Sequence, residues 1–283
     1  MPRAPGRARE VLGPAMHVQV PPNLSYADFP RLAFFMARDG YLPRQFGNRG
    51  DRPRLIVRWA SIVYLSISLL ATDRFRLSQR ELGWEPASTD ASAAALVPAK
   101  VLADTAKSLT AGNQVTIALS SSGTGEGIIG FEGSAGGGVR RTTTRLLDGE
   151  FPKVRTLFPN EHLTIARVDK ASLIESVKRV SLVAERNTAV QLAFSDGVLT
   201  LDAGSGDEAQ ASESIEASVQ GDDITTGFNP QFLLDGLTAI EAPVVELAFT
   251  QASKPAVMAG VATPDGEADL DFRYLLMPRR LLS

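Results

Sequence analysis

Histidine, cysteine and clustered carboxylates supply most metal and nucleophile sites, and this sequence is short of the first two. None of its 283 residues is cysteine. That removes a disulfide framework, a cysteine zinc site and a thiol nucleophile, and it fits a reducing cytoplasm. His17 and His162 are the only histidines, too few for most histidine metal sites or triads. The run Gly125-Glu-Gly-Ile-Ile-Gly130 matches G-x-G-x-x-G. A dinucleotide site needs that motif to open a helix, so that the pyrophosphate can rest on its N-terminus. Here a β-rich run and Gly136-Gly-Gly138 follow, which predicts a hairpin loop. Asp202, Asp207 and Glu208 have carboxylates suited to calcium, but their spacing departs from the EF-hand loop and reads as a solvated turn. No Asp/Glu pair has a second catalytic group beside it. The expectation is a non-catalytic protein with no metal site and no cofactor.

Composition narrows the remaining classes. The chain is 44% hydrophobic and 22% charged with formal net charge −3, which is ordinary for a globular protein of about two domains. Mild acidity argues against a large basic nucleic-acid grip, though not against encircling DNA with a few local cations. Arg3, Arg7 and Arg9 are followed by no apolar core and cleavage site, so no signal peptide is expected. The apolar run from Leu55 to Ala71 is interrupted by Arg58 and falls short of the roughly 20 residues a spanning helix needs. It reads as core.

The elements that must position any site fall in two unlike parts. The first 65 residues hold eight of the 17 prolines and many arginines, without apolar periodicity. From about residue 67 short β-rich runs alternate with amphipathic helices. An internal repeat runs through this part at an offset of about 130 residues. A helix at Val97–Leu109 answers to one at Asn229–Ile240, each with proline at its start. Strands Gln114–Ser120, Gly127–Phe131 and Val139–Leu147 answer to Val244–Thr250, Ala256–Val261 and Leu270–Met277. The second copy adds a helix from Asp169 to Glu185, with Leu173, Ile174, Val177, Val180 and Ala184 on one face. It continues with a hairpin turning at Ser195-Asp196-Gly197 and strands Ser212–Val219 and Asp223–Phe228. The expected fold is α+β: a repeated domain of antiparallel sheet with two helices on one face. The first copy is incomplete, because its opening helix and first hairpin belong upstream of Ile67 and that sequence does not supply them.

Leu69-Leu-Ala-Thr-Asp-Arg-Phe-Arg-Leu-Ser78 resembles the Thr-Asp-Gly-His-Arg-Leu signature of the bacterial DNA sliding clamp, the DNA polymerase III beta subunit. Arg74 and Phe75 replace its Gly-His. Gly149-Glu-Phe-Pro152, Asn229-Pro230 and the tail Tyr274-Leu-Leu-Met-Pro-Arg-Arg-Leu281 resemble further stretches of that family. The resemblance implies the DNA-clamp fold, with a partial second clamp domain at 67–153 and the third, C-terminal domain at 154–283. It implies a processivity factor that tethers the replicative polymerase to double-stranded DNA without sequence preference, and that is handled by a clamp loader in the cytoplasm. Partners would insert short linear peptides into a cleft between those domains. Carried over by position, that cleft takes Thr72, Arg76, Leu77, Pro152, Leu157, Leu275, Met277, Pro278, Arg280 and Leu281. Thr156 and Arg279 depart from the usual residues at its rim. Leu77, Leu275 and Met277 equally fit plain strand core. Lys100, Lys107 and Lys178 on the two helices are the candidate DNA-facing cations, with solvated surface as the other reading.

Residues 1–66 form an irregular Arg/Pro-rich segment in this reading. Asn23-Leu-Ser-Tyr-Ala-Asp-Phe-Pro-Arg31 and Ala37–Phe46, continuing through Asn48–Asp51, resemble an amino-acid permease loop. Two alternatives therefore stand beside the clamp: a permease-related membrane protein fragment and a stand-alone peptide-binding module. The family's subunits form head-to-tail homodimeric rings that pair a first domain with a third. Without a recognisable first domain, the expectation is that the usual closed dimer does not form.

Overall fold

A computed structural model describes residues 15–19, 54–59, 66–83, 94–109, 111–120, 127–148, 151–152, 154, 157–159, 161–184, 188–204 and 210–279. The chain divides into two compact units. The first comprises residues 1–73 and 79–152, the second residues 74–78 and 153–283.

The first unit has two sheets. Strands β1 (Ala15–Gln19), β2 (Arg54–Trp59), β3 (Ser66–Thr72), β4 (Arg76–Gly83, whose first three residues belong to the second unit) and β5 (Ala94–Pro98) precede helix α1 (Ala99–Ser108). Strands β6 (Ala111–Leu119), β7 (Ile128–Ala135) and β8 (Gly138–Arg145) follow. One sheet runs β1-β6-β7-β8; in the other, β2 lies between β3 and β5. Leu102, Ala103 and Ala106 of α1 are buried, as are Ile117, Ile129 and Phe131 of the first sheet.

The second unit repeats the scheme. It contains β9 (Thr164–Asp169), α2 (Lys170–Val180), β10 (Val190–Ser195), β11 (Val198–Ala203), β12 (Ala211–Glu216), β13 (Ser218–Gly221), β14 (Ile224–Phe228), α3 (Pro230–Ala239), β15 (Val244–Phe249), β16 (Ala256–Val261) and β17 (Ala268–Leu276). One sheet runs β12-β11-β10-β14; the other includes β13-β9-β15-β16-β17. Alternation drives it: Val190, Leu192 and Phe194 of β10 and Leu199 and Leu201 of β11 are buried, while their neighbours in sequence are not. Helices α2 and α3 pack together and against the sheets, burying Leu173, Val177, Val180, Leu233 and Leu237. The β10–β11 turn has Asp196 and Gly197 at φ 49° and 79°, the two successive positive angles that let a two-residue loop follow the strand twist.

Three expectations differ from what is observed. Residues upstream of 66 do supply strands of the first copy. β1 pairs with β6 as β9 pairs with β15, and β2 sits between β3 and β5 as β10 sits between β11 and β14. The apolar run Leu55–Ala71 thus contains two antiparallel strands, and its second half is core, with Ile67, Leu69 and Leu70 buried. Continuous apolar runs hide strand boundaries because they show no period. The first copy's opening helix and the permease-like stretches lie outside the described residues. Second, the strand expected at Ser212–Val219 is two strands in different sheets. The chain turns at Ala217, whose N–H donates to the Gly197 carbonyl at 2.9 Å, and β13 then pairs with β9. Third, Pro98 caps α1 from outside, whereas Pro230 is the first residue of α3.

The Gly125–Gly130 motif runs into strand β7, and the β7–β8 hairpin turns at Gly136 and Gly137, both at positive φ. No helix follows to receive a pyrophosphate. Asp202 lies in β11, while Asp207 and Glu208 fall outside the described residues. Among the described residues no group of three or more His, Asp or Glu could hold a metal ion. None of their helices is long and apolar enough to cross a membrane.

Helix α2 begins where Asp169 accepts from the Ser172 N–H at 2.8 Å. The Ser172 amide and hydroxyl hold this carboxyl below its ordinary value of 3.8. A depressed folded-state pKa means the stabilisation is complete above the unfolded-state value and is lost as pH falls through the folded one. Replacing Asp169 by Ala is expected to cost about 1 kcal/mol near neutral pH. The difference between the two proteins in urea denaturation should shrink as the pH is lowered below about 4.

Candidate functional site

Arg76 organises the site, which lies wholly in the second unit. A largely buried arginine must find an acceptor. Arg76 finds Asp235 of α3, pairing its Nη1 with Oδ2; the side chains are only 11% and 4% exposed. The other carboxylate oxygen of Asp235 accepts from Gln231 Nε2 at 2.8 Å, one helical turn back. The Arg76 guanidinium lies 4.3 Å from the centre of the Phe232 ring, an attractive cation–π geometry. Its Nη1 also reaches the Tyr274 hydroxyl at 3.5 Å, and that hydroxyl donates to the Phe232 carbonyl at 3.0 Å. Tyr274 of β17 is buried flat against Gly236, where a Cβ would stand 2.6 Å from its ring. Only glycine lets helix and ring approach so closely.

This network fastens residues 74–78 beside the end of β17. The Met277 N–H donates to the Phe75 carbonyl at 2.9 Å, and the Arg279 N–H donates to the Gly227 carbonyl at 2.7 Å. Arg74 adopts φ 78°, a left-handed conformation that costs a non-glycine residue about 1–2 kcal/mol. A non-glycine residue at this place therefore carries backbone strain. The next residue, Phe75, projects outward at 52% exposure, with its ring 6.2 Å from that of Phe232. Met277 is 39% exposed and Pro278 half-buried. Together Phe75, Phe232, Met277 and Pro278 present an apolar surface above a buried ionic anchor.

The ten cleft candidates thus separate. Arg76 belongs to the anchor, the Met277 N–H meets the Phe75 carbonyl next to it, and Pro278 follows half-buried. Leu77 and Leu275 are each 1% exposed and belong to the core. Leu157 is an exposed residue of the second unit, just before Phe158, whose ring stacks under the Arg273 guanidinium at 4.3 Å. Thr72 and Pro152 belong to the first unit, the former half-buried and the latter exposed. Arg280 and Leu281 lie outside the described residues. Sequence reasoning missed Phe75, Phe232, Asp235 and Tyr274 as parts of the arrangement; the available signal was a cation next to the apolar Leu77 in β4, which called for a carboxylate.

The candidate DNA-facing cations are all exposed. Lys100 pairs with Asp104 at 2.6 Å and Lys178 with Glu175 at 2.7 Å, each within its own helix. The Lys178 ammonium holds the Glu175 carboxyl below its ordinary range. Next to it, Arg179 grips Glu213 of β12, which also accepts from Ser176. Such exposed pairs exchange partners at little cost.

Comparison with known proteins agrees with this geometry. Residues 58–153 match the profile of the DNA polymerase III beta subunit central domain, and residues 155–280 match that of its C-terminal domain. The beta sliding clamp of Streptomyces coelicolor is 56% identical over 216 residues, which cover 76% of this chain and 56% of the relative. A beta sliding clamp homolog of Streptomyces muensis, GriR, is 45% identical over 214 residues, covering 76% and 56%. Among solved structures, the Pseudomonas aeruginosa sliding clamp bound to griselimycin superposes with a TM-score of 0.74 at 21% identity, covering 99% of this chain and 68% of that one. The Caulobacter crescentus clamp gives 0.75 at 23%, covering 99% and 69%. The chain belongs to the DNA polymerase III beta subunit family, the bacterial sliding clamps, through its central and C-terminal domain types. It spans about half the length of these curated relatives. The permease likeness gains no support from these matches.

The Arg76–Asp235 pair is expected to show strong coupling. Arg76→Met or Asp235→Leu alone strands one buried charge and should cost about 3–5 kcal/mol. The double variant should cost well under the sum, as measured by chemical denaturation in a double-mutant cycle.

Proposed function

We propose that this chain acts as a sliding-clamp-type processivity factor. In this reading it is non-catalytic, resides in the cytoplasm, and tethers the replicative DNA polymerase and other partners to double-stranded DNA through short linear peptides. The observation that carries the reading is the apolar surface of Phe75, Phe232, Met277 and Pro278, held in place by Arg76 and Asp235. Fully burying one Phe, Leu or Met side chain contributes roughly 1.5–3 kcal/mol. Two or three peptide side chains seated there reach micromolar affinity once the cost of ordering the peptide is met.

Two further parts of the reading rest on position within the family. Lys100, Lys107 and Lys178 serve as loose, sequence-independent phosphate contacts, and the clamp loader acts on the assembled protein. The full contact set includes Thr72, Pro152, Leu157, Arg280 and Leu281, with Leu77 and Leu275 as support.

Titration of a fluorescent clamp-binding peptide tests this directly. Binding in the micromolar range is expected, and Met277→Ala should weaken it about 5- to 30-fold, equivalent to roughly 1–2 kcal/mol of lost apolar contact. Failure of both proteins to bind would discard the peptide site.

A further inference from the structure

The side chains of this protein that oxidants can modify reversibly are few. Its sequence contains no cysteine, so no thiol is available to take up oxygen or to form a disulfide. The remaining candidates are the thioethers of the five methionines. Met1, Met16 and Met36 belong to the first unit, away from the peptide surface of the second. Met258 of β16 is 0% exposed and closed off from solvent in the folded chain. Met277 is 39% exposed and forms part of the apolar surface with Phe75, Phe232 and Pro278.

We propose that Met277 is a reversible oxidation site whose sulfoxide turns peptide docking off, a switch that rests on the proposed peptide site. The oxidant is a peroxide, hydrogen peroxide being the simplest. The thioether sulfur gives a lone pair to one peroxide oxygen, and the O–O bond breaks as the S–O bond forms. The departing hydroxide takes the proton of the transferred oxygen and leaves as water. Sulfur loses two electrons and the peroxide gains them. The product carries a strong hydrogen-bond acceptor where a docked peptide meets an apolar side chain. Covering that oxygen without supplying a donor is unfavourable. The change stays local. The Met277 N–H still donates to the Phe75 carbonyl, and neither Arg76 nor Asp235 depends on the thioether.

Titration of the full chain with the fluorescent clamp-binding peptide, before and after hydrogen peroxide treatment, tests the switch. Mass spectrometry of proteolytic fragments should show one added oxygen at Met277 while Met258 stays unmodified. Affinity should fall about tenfold, with the urea unfolding midpoint unchanged. It should return after treatment with methionine sulfoxide reductases for both epimers, supplied with a dithiol that becomes a disulfide. Met277→Leu has no thioether at this place, so peroxide should leave its affinity unchanged, whatever its starting value. Met16→Leu with Met36→Leu keeps Met277 and should lose affinity as the parent does. That variant decides the question if Met277→Leu binds too weakly to measure. Absence of binding before any treatment would discard the peptide site and the switch with it. An untreated parent that binds, and still binds equally well once Met277 is fully oxidised, would overturn the switch alone. So would an affinity loss in Met277→Leu that matches the parent's, or its disappearance in Met16→Leu with Met36→Leu.

Discussion

A buried arginine–carboxylate pair is a costly device, and the second unit is arranged around one. Desolvating Arg76 and Asp235 is offset only if both ions are nearly saturated with partners. Gln231, Tyr274 and the Phe232 ring complete that environment. Each partner in turn constrains the fold. Asp235 and Gln231 require α3 to present one face to the 74–78 segment, and Tyr274 requires a glycine at 236 so that β17 and α3 can close up. The hydrogen bonds from Met277 and Arg279 then fix the path of the chain past the end of β17. Removing either ion would leave the other buried and unpaired.

Function follows from what this anchor leaves outside. A long segment held by buried charge can afford to expose apolar side chains, because they are not needed to hold it down. Phe75 and Met277 expose apolar surface while Leu77 and Leu275, each two residues away, serve the core. The anchor also tolerates a left-handed Arg74, strain that persists only where surrounding contacts over-determine the backbone.

Much of this architecture was legible in the sequence because its causes are local. The Asp196-Gly197 turn and the amphipathic face of α2 each follow from spacing within a few residues, and the repeat shows because the same local patterns recur about 130 residues apart. The clamp motifs put Arg76 and the tail in one candidate site, and Arg76 Nη1 lies 3.5 Å from the Tyr274 hydroxyl. What was not legible depends on distant partners. Asp235 lies 159 residues from Arg76, and in a helix an aspartate reads as solvent-facing until a cation is placed over it. Leu77 and Leu275 carry no sign of whether they line or support a surface, since both roles need the same side chain. The break at Ala217 was hidden because β12 and β13 share one alternating pattern while joining different sheets. Strand β2 was missed because composition marked its surroundings as foreign, although strand pairing needs only a short run of suitable residues.

Amide hydrogen exchange at Met277 measures the anchor most directly, because that N–H is protected by the Phe75 carbonyl on the segment Arg76 pins. In the parent its exchange should be slow. In Asp235→Asn it should accelerate by about tenfold or more, reflecting a lost charge-assisted contact of at least 1.4 kcal/mol, while amides in the β15–β16 pair keep their protection. Unchanged protection at Met277 in that variant would contradict the account, for it would show that the 74–78 segment is held by something other than the buried pair.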